Sequence, residues 1–327
     1  MIDTSSILTE PILDQLREGI LATYYKDAGN QVALAALDDH VRVRFEMCCR
    51  YLVPWIRRYV DLQALRLIEI GCGTGSTTAA LALGSKSVEA YDIDAASIAA
   101  ASRRMEILNI NNVQLCRHDP EKVLSEIRHR HPDQSVDAIV MFAVLEHQTY
   151  HERITSLRSC WDLLRPGGLL IIGDTPNRLT WHDAHTSWLP FFDTLPEEVA
   201  LDYYKKSPRA EFGEAISMAR SHSEQAAWET LIRWGRGISY HEFETALGTI
   251  ENLVLGDGFD PEPLDYYGVS LETRLLYSYV KEKGFNIPPG FLREPLDLIL
   301  QKPDLNAGPI KRRSVEELDA IIRPFEL

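Results

Sequence analysis

The chain has no long apolar run and no excess of basic residues, and both absences exclude classes of partner. No apolar stretch among the 327 residues approaches the length needed to span a bilayer. The first residues have neither a basic region nor an apolar core, so we expect no signal peptide. Lysine and arginine total 34 against 48 aspartates and glutamates, for a formal charge of −14. Because phosphate contacts need clustered basic side chains, we predict no nucleic-acid partner and no anionic-membrane partner.

Cysteine is scarce, and its five positions follow neither a zinc-ligand spacing nor an even disulfide count. They are Cys48, Cys49, Cys72, Cys116 and Cys160. Free thiols in a reducing cytoplasm explain this pattern best, so we predict a cytoplasmic protein with no metal site. Cys48 and Cys49 lie on an apolar helical stretch and are expected to pack in the core.

One stretch organises the rest of the chain, because an apolar strand, alternating glycines and a helix start follow one another directly. The strand is predicted over residues 65–70 and the helix over residues 77–83, with Gly71, Gly73 and Gly75 between them. Glycine has no Cβ, so such a turn can press its backbone against a ligand. The free N–H groups of the helix start favour hydrogen-bond acceptors or negative charge. This pattern indicates a nucleotide-type cofactor site at the carboxyl end of the first strand.

Strands and helices alternate from this point, which predicts right-handed βαβ crossovers and a parallel sheet. Further strands are predicted over residues 88–92, 113–116, 136–142 and 169–172, with a tight turn at 165–168 before the last. Residues 250–256 form a possible sixth strand, and residues 296–301 are predicted to be a final edge strand. The predicted fold is α/β, with a doubly wound, mostly parallel, seven-stranded Rossmann-like sheet.

The regions outside this alternation predict helical additions to the core. The predicted parts are a helical lead-in (1–60), a cofactor-binding core (61–178), a helical cap (179–238), the remainder of the sheet with an inserted helix (239–303) and a tail helix (304–327). The cap is inferred because about sixty residues separate two parts of one sheet. In the lead-in, Pro54 should kink or restart the last helix. Arg42 and Arg44 either reach a carboxylate at the cofactor site or lie on a solvated face.

The motifs, taken in order, resemble those of the class I S-adenosylmethionine-dependent methyltransferases. The resemblance is to a small-molecule branch whose glycine motif, here residues 69–75, is followed by Leu-Glu-His after strand four and Arg-Pro-Gly-Gly before strand five. Those motifs are residues 145–147 and 165–168. The resemblance covers residues 61–178 well and 239–303 loosely. It implies S-adenosylmethionine as cofactor and methyl transfer to a small-molecule acceptor, most readily a hydroxyl.

Side-chain chemistry agrees with this cofactor. Asp92 ends strand two and can accept hydrogen bonds from both ribose hydroxyls, since Asp94 already serves as the helix cap. Glu69 would be costly in an apolar strand without a partner, and the resemblance implies that its partner is the methionine ammonium. Ile93 is placed to pack on adenine, and Asp119 accepts from the adenine amino group or is only a turn residue. The predicted cofactor-binding residues are Glu69, Gly71, Cys72, Gly73, Gly75, Asp92, Ile93, Asp119, Pro120 and Phe142.

Methyl transfer to a hydroxyl is helped by a base, and three histidines are candidates: His147, His182 and His185. Each also fits a packing or surface role. Asp183 is placed to orient a base or to bind a polar acceptor. The aromatic residues of 181–204 either contact a sizeable, partly apolar acceptor, such as a natural-product, glycan or lipid-linked precursor, or form the core of the cap itself.

Two other functions fit the same architecture. An NAD(P)-dependent oxidoreductase needs a third glycine or alanine where Ser76 stands, which disfavours it. A non-catalytic S-adenosylmethionine-binding module is disfavoured by the intact cofactor residues, although a fold does not settle activity. The segment after strand four lacks the Asn/Asp-Pro-Pro-aromatic motif of base-modifying enzymes, which disfavours DNA amino-methylation. The sequence leaves open a monomer or a homodimer.

Overall fold

The computed structural model describes residues 2–24, 37–304, 308 and 310–325, and it is built on a seven-stranded sheet. The strands are β1 (Arg66–Ile70), β2 (Ser87–Asp92), β3 (Val113–Arg117), β4 (Val136–Phe142), β5 (Leu164–Thr175), β6 (Val254–Asp257) and β7 (Leu296–Gln301). Their order in the sheet is 3-2-1-4-5-7-6. Strands β1 to β5 pair in parallel, whereas β7 is antiparallel to both of its neighbours. The predicted doubly wound, mostly parallel sheet is confirmed.

Helices cover both faces of the sheet. They are α1 (Glu10–Thr23), α2 (39–57), α3 (Ser76–Gly84), α4 (Ala95–Ile107), α5 (Val123–Arg130), α6 (Tyr150–Leu163), α7 (Glu197–Tyr203), α8 (Ala210–His222), α9 (Glu224–Trp234), α10 (Tyr240–Leu247), α11 (Pro261–Tyr267), α12 (Leu271–Lys283) and α13 (Val315–Ile322). One hydrophobic cluster includes Leu16, Trp55 and Leu81, and a second, on the other face, includes Leu157 and Phe243. The central strands are apolar and buried because both of their faces are covered.

Two expectations about the sheet are wrong. Residues 165–168 do not precede the fifth strand but lie within β5, which begins at Leu164; the pairing with β4 shifts register here, and Gly167 has a φ of +75°. The backbone of Gly167 and Gly168 is hydrogen-bonded to Lys302 beyond β7, and these bonds extend the ladder. Strand β7 is not an edge strand, since it lies between β5 and β6. Five of its six residues are buried, which suits an interior strand.

Local signals at helix ends are confirmed. The Asp94 carboxylate caps α4 by accepting from the Ser97 N–H at 2.8 Å. Ser239 and Ser314 each open their helix with a capping box. In α2 a π-helical stretch at Cys48–Leu52 ends just before Pro54, and the helix restarts with proline in its first turn, where no N–H is needed. All five cysteines are free and buried.

Residues 179–238 carry α7, α8 and α9 around a hydrophobic cluster of their own. Phe192, Tyr204 and Phe212 are fully buried in this cluster. Trp181 and Trp188 are exposed instead. The aromatic residues therefore divide between the core of this segment and its surface, and contact of the exposed ones with an acceptor stays a prediction. Within the described ranges, no helix is long and apolar enough to cross a membrane.

Candidate active site

The turn after β1 has the backbone of a close-approach site. Gly71, Gly73 and Gly75 have φ angles of +76°, +50° and +78°, which favour glycine. A Cβ on Gly71 would lie 2.5 Å from the Val144 side chain, and one on Gly75 would lie 2.9 Å from Ala101. A Cβ on Gly73 would meet no atom within 4 Å. Packing therefore requires glycine at the two outer positions, whereas the middle glycine faces open space that a ligand can enter.

Asp92 joins this turn to the end of β2. Its carboxylate accepts from the Gly73 N–H at 2.7 Å and from the Asp94 N–H at 2.9 Å, one bond to each oxygen. A carboxylate oxygen has a second lone pair, so both oxygens can still accept from a diol. Burial raises the pKa of Asp92, against the opposing effect of these backbone hydrogen bonds. Ile93, the next residue, exposes 48% of its surface beside the turn and offers an apolar face.

Glu69 is a buried carboxylate with an unmet hydrogen-bonding requirement. It is 1% exposed, neither carboxylate oxygen makes a well-formed hydrogen bond with a described residue, and the nearby Thr78 hydroxyl lowers its pKa less than burial raises it. Burial raises its pKa to about 7. An orphaned carboxylate of this kind is costly unless a cationic or donor ligand reaches it, and an ammonium group is the matching chemistry. The residues of this turn therefore fit an amino-acid-bearing cofactor.

The other predicted cofactor residues have less specific surroundings. Asp119 lies after β3 and pairs with Lys122 at 3.0 Å, and hydrogen bonding to that ammonium lowers its pKa. Pro120 is exposed. Phe142 ends β4 and is buried, and Cys72 is buried in the glycine turn, where burial raises the pKa of its thiol. Their contact with the cofactor stays a prediction.

The lead-in helix α2 lies over the glycine turn. His40 Nδ1 is 3.1 Å from Thr74 Oγ1, and Ser76 Oγ donates to the His40 carbonyl at 2.8 Å. The buried Arg104 guanidinium donates to the carbonyls of Thr74 and Val41 at 3.0 and 3.1 Å. Sequence reasoning missed Arg104, because nothing in the pattern of α4 distinguishes it from a surface arginine.

The two arginines singled out in the lead-in have different environments. Arg42 pairs with Asp38 and Glu46 along its own helix, at 2.9 and 3.0 Å. Arg44 pairs with Asp39 at 3.5 Å. Its charge also acts on carboxylates beyond the ends of β4 and β5, where it opposes the rise in pKa that burial causes at Asp174. Arg44, rather than Arg42, thus reaches the carboxyl edge of the sheet.

Two of the three candidate histidines come together beyond β4. His147 ends a 3₁₀ turn (Leu145–His147), and its ring centroid is 5.6 Å from that of His185. Both rings line a cavity of about 640 Å³, together with Arg209, Ala226, Glu229, Thr230, Arg233 and Trp234. His182 is exposed, and its backbone N–H donates to Glu272. The structure therefore joins His147 to His185 and does not place His182 among the residues that line this cavity.

Hydrogen bonds hold both rings in place. His147 Nδ1 lies 2.8 Å from the Arg233 carbonyl, and His185 Nδ1 lies 2.9 Å from Thr186 Oγ1. Burial lowers the pKa of His147 and lowers that of His185 to about 4, so both are neutral at pH 7. Asp183 accepts from the N–H groups of the residues that follow His185 at 2.7 Å. It holds the turn that presents His185.

Glu146, between Leu145 and His147, is a second orphaned carboxylate that sequence reasoning passed over. It is 0% exposed, and no described residue hydrogen-bonds to either carboxylate oxygen. Burial raises its pKa to about 8. Its Oε1 lies 3.7 Å from His147 Nε2. Its place in the Leu-Glu-His motif was the sequence signal for this residue. A position next to a histidine in the sequence does not show which way the Glu146 side chain points.

A further polar group at the end of β5 was also missed. Asp174 has a φ of +51° and accepts from Tyr267 Oη at 3.0 Å. Its own N–H donates to Asp297 at 3.0 Å, and burial raises the pKa of Asp297 to about 7. These residues come from distant parts of the chain, and only the sheet order brings them together.

Part of the chain is similar to known methyltransferases. A family model described as "Methyltransferase domain" matches residues 68–170. A malonyl-[acyl-carrier protein] O-methyltransferase of Bacillus anthracis is 27% identical over 150 residues, 39% of this chain and 55% of that protein. A ubiquinone biosynthesis O-methyltransferase of Stutzerimonas stutzeri is 26% identical over 116 residues, 36% of this chain and 47% of that protein. The chain spans about half the length of these curated relatives.

Among solved structures, a putative S-adenosyl-L-methionine-dependent methyltransferase from Methanococcus maripaludis is 16% identical with a TM-score of 0.42. The alignment covers 83% of this chain and 93% of that one. The match to the family model covers the strand–glycine turn–helix unit and β2 to β4, and it decides against the oxidoreductase alternative. Residues 68–170 therefore match a methyltransferase domain, and this match together with the O-methyltransferase relatives supports a class I S-adenosylmethionine-dependent methyltransferase with S-adenosylmethionine as its cofactor.

Proposed function

We propose that the protein methylates a hydroxyl oxygen of a small-molecule acceptor. The observation that carries this proposal is the cavity of about 640 Å³ lined by His147 and His185, beyond the carboxyl end of β4. His147, which lines this cavity, follows Val144 by three residues, and the Val144 side chain packs beside Gly71 of the cofactor turn. Ligands of open α/β sheets bind at this edge of the strands.

The cofactor-side residues have separable roles in this proposal. Glu69 accepts hydrogen bonds from the ammonium, and Asp92 accepts them from the ribose hydroxyls. The open space beside Gly73 admits the cofactor. Ile93 packs on adenine, with Asp119, Pro120 and Phe142 around the rest of the pocket. S-adenosylmethionine, when bound, supplies an activated methyl group on a sulfonium sulfur, so the protein contributes orientation and exclusion of water.

The acceptor-side residues favour oxygen as the methyl acceptor. The curated relatives reported above are O-methyltransferases by name, although their acceptors differ. His147 and His185, next to the buried Glu146, are the part of the cavity lining suited to assist loss of a hydroxyl proton. Trp234 and two paired arginines on the cavity wall fit an acceptor with both apolar and polar parts, such as a natural-product, glycan or lipid-linked precursor.

The direct experiment offers the full chain S-adenosylmethionine with a methyl label and separate panels of phenols, sugars and carboxylic acids. We expect S-adenosylhomocysteine to form only with members of a hydroxyl-bearing panel, and the label to appear on oxygen by mass spectrometry. Cofactor binding is measured in parallel by calorimetry. Binding without transfer to any acceptor would favour the non-catalytic module, and absence of binding would contradict the cofactor assignment.

A further inference from the structure

Three potential metal ligands converge where His147 and His185 line the cavity. Glu146 and His147 come from the 3₁₀ turn after β4, and His185 comes from the turn that Asp183 holds. One ligand atom of each lies within 4.8 Å of the others. Ligands on metal bonds of about 2.1 Å in a tetrahedron are about 3.4 Å apart, so the three side chains need only a small inward movement to share one ion.

In both histidines the hydrogen bonds place the ring proton on Nδ1, so that the lone pair of Nε2 can bind a metal ion. A carbonyl can only accept, so His147 Nδ1, at 2.8 Å from the Arg233 carbonyl, carries the ring proton. The Thr186 hydroxyl donates to the Gly235 carbonyl at 2.9 Å, so it accepts from His185 Nδ1 at 2.9 Å. Metal-binding histidines show this arrangement, in which the second ring nitrogen donates to an oxygen and fixes the ring.

The carboxylate of Glu146 needs a partner that the described residues do not provide. It is fully buried, and neither oxygen is hydrogen-bonded, while its backbone carbonyl is held by the Arg236 N–H at 2.9 Å and by Arg153 at 3.2 Å. The Arg153 guanidinium is occupied by backbone carbonyls and by Glu242. Arg44, whose charge also acts on Glu146, is paired with Asp39. A cation between this carboxylate and two neutral imidazoles would meet the deficit.

We propose that Glu146, His147 and His185 bind one divalent transition-metal ion whose remaining coordination positions face the acceptor cavity. Two imidazoles and a carboxylate with open positions suit zinc, iron(II), cobalt or manganese better than calcium. The catalytic part of this inference rests on the proposed O-methylation. Coordination lowers the pKa of the acceptor hydroxyl, whose proton leaves to water and whose electron pair remains on the oxygen that takes the methyl group. The histidines then hold the ion, and the ion replaces a histidine base.

The test begins with metal binding alone, without any acceptor. The full chain is freed of metal by chelation and titrated with Co²⁺, followed by its visible absorption bands, and with Zn²⁺, followed by calorimetry. We expect one ion per chain and affinities weakened more than about tenfold in Glu146→Gln, His147→Gln and His185→Gln, since even outer-shell changes cost about 10- to 100-fold. His222→Gln, an exposed histidine on α8, is the matched control and should bind as the wild type does.

Cofactor affinity, measured by calorimetry on each variant, shows whether the fold is intact. Absence of stoichiometric Co²⁺ and Zn²⁺ binding in the wild type would overturn the metal site, as would unchanged affinity in all three ligand variants that still bind S-adenosylmethionine. Methyl transfer by the metal-free wild type at the rate of the loaded protein would overturn the catalytic part. Failure of the proposed function is seen separately, as bound metal and bound cofactor with no transfer to any acceptor.

Discussion

Replacing Glu69 by glutamine separates the role of this carboxylate in cofactor binding from its effect on the ligand-free fold. In the folded chain burial raises the pKa of Glu69 from its ordinary value of 4.5 to about 7. Between these two values the folded state holds a proton that the unfolded state has lost. The free energy of unfolding therefore falls as the pH rises through this window, and the loss is complete above pH 7.

The size of this effect follows from the two pKa values. Ionised Glu69 lowers the free energy of unfolding by about 3 kcal/mol at pH 8, and by less than about 1 kcal/mol at pH 5. Glu69→Gln does not titrate, and the cost of its buried amide is the same at both pH values. The difference in free energy of unfolding between variant and wild type should thus shift by about 2–3 kcal/mol in favour of the variant between pH 5 and pH 8.

Cofactor binding should respond in the opposite direction. Loss of a charge-assisted hydrogen bond to the ammonium should lower the affinity for S-adenosylmethionine by about 10- to 100-fold at pH 8. Chemical denaturation of the ligand-free chain at both pH values and calorimetry with the cofactor measure the two effects. A variant that shows no pH-dependent gain, or that binds the cofactor as tightly as the wild type, would refute this account of Glu69.

Glu89→Gln on β2 is the matched control. Burial by itself raises the pKa of Glu89, but hydrogen bonds from Tyr91 and His131 leave it lowered. Its contribution to stability is therefore lost only below pH 4.5, as the pH falls through the lowered value. Glu89 lies outside the glycine turn, so this variant is the control for cofactor affinity, which should not change.

Four further substitutions test neighbouring features. Asp92→Asn should lower the affinity for S-adenosylmethionine, measured by calorimetry, by at least about tenfold, because a carboxylate accepts hydrogen bonds from a diol better than an amide does. Equal affinity would argue against the ribose role. Gly75→Ala should destabilise the chain in denaturant titrations through contact with Ala101, whereas Gly73→Ala, which meets open space, should lose proportionately more cofactor affinity. Arg104→Met leaves buried carbonyls of the lead-in and the glycine turn without a donor and should cost about 2–3 kcal/mol of unfolding free energy.

Much of the cofactor side was predictable because its signals are local. Three alternating glycines directly after a strand predict a turn, because the positive φ angles at Gly71 and Gly75, next to packed side chains, favour glycine. Asp92 follows from its place at the end of β2, and Asp94 from its capping role. Alternation of apolar strands with amphipathic helices determined the parallel part of the sheet.

The acceptor side depended on contacts that no local pattern encodes. The sequence placed His147, His182 and His185 on equal terms, and only the packing of residues 179–238 brought His185 to His147 and left His182 outside the cavity. The direction of the Glu146 side chain and the interior place of β7 were likewise decided by tertiary structure. Periodicity determines which residues are buried within an element, but pairing between distant elements is chosen by the packing of the whole chain.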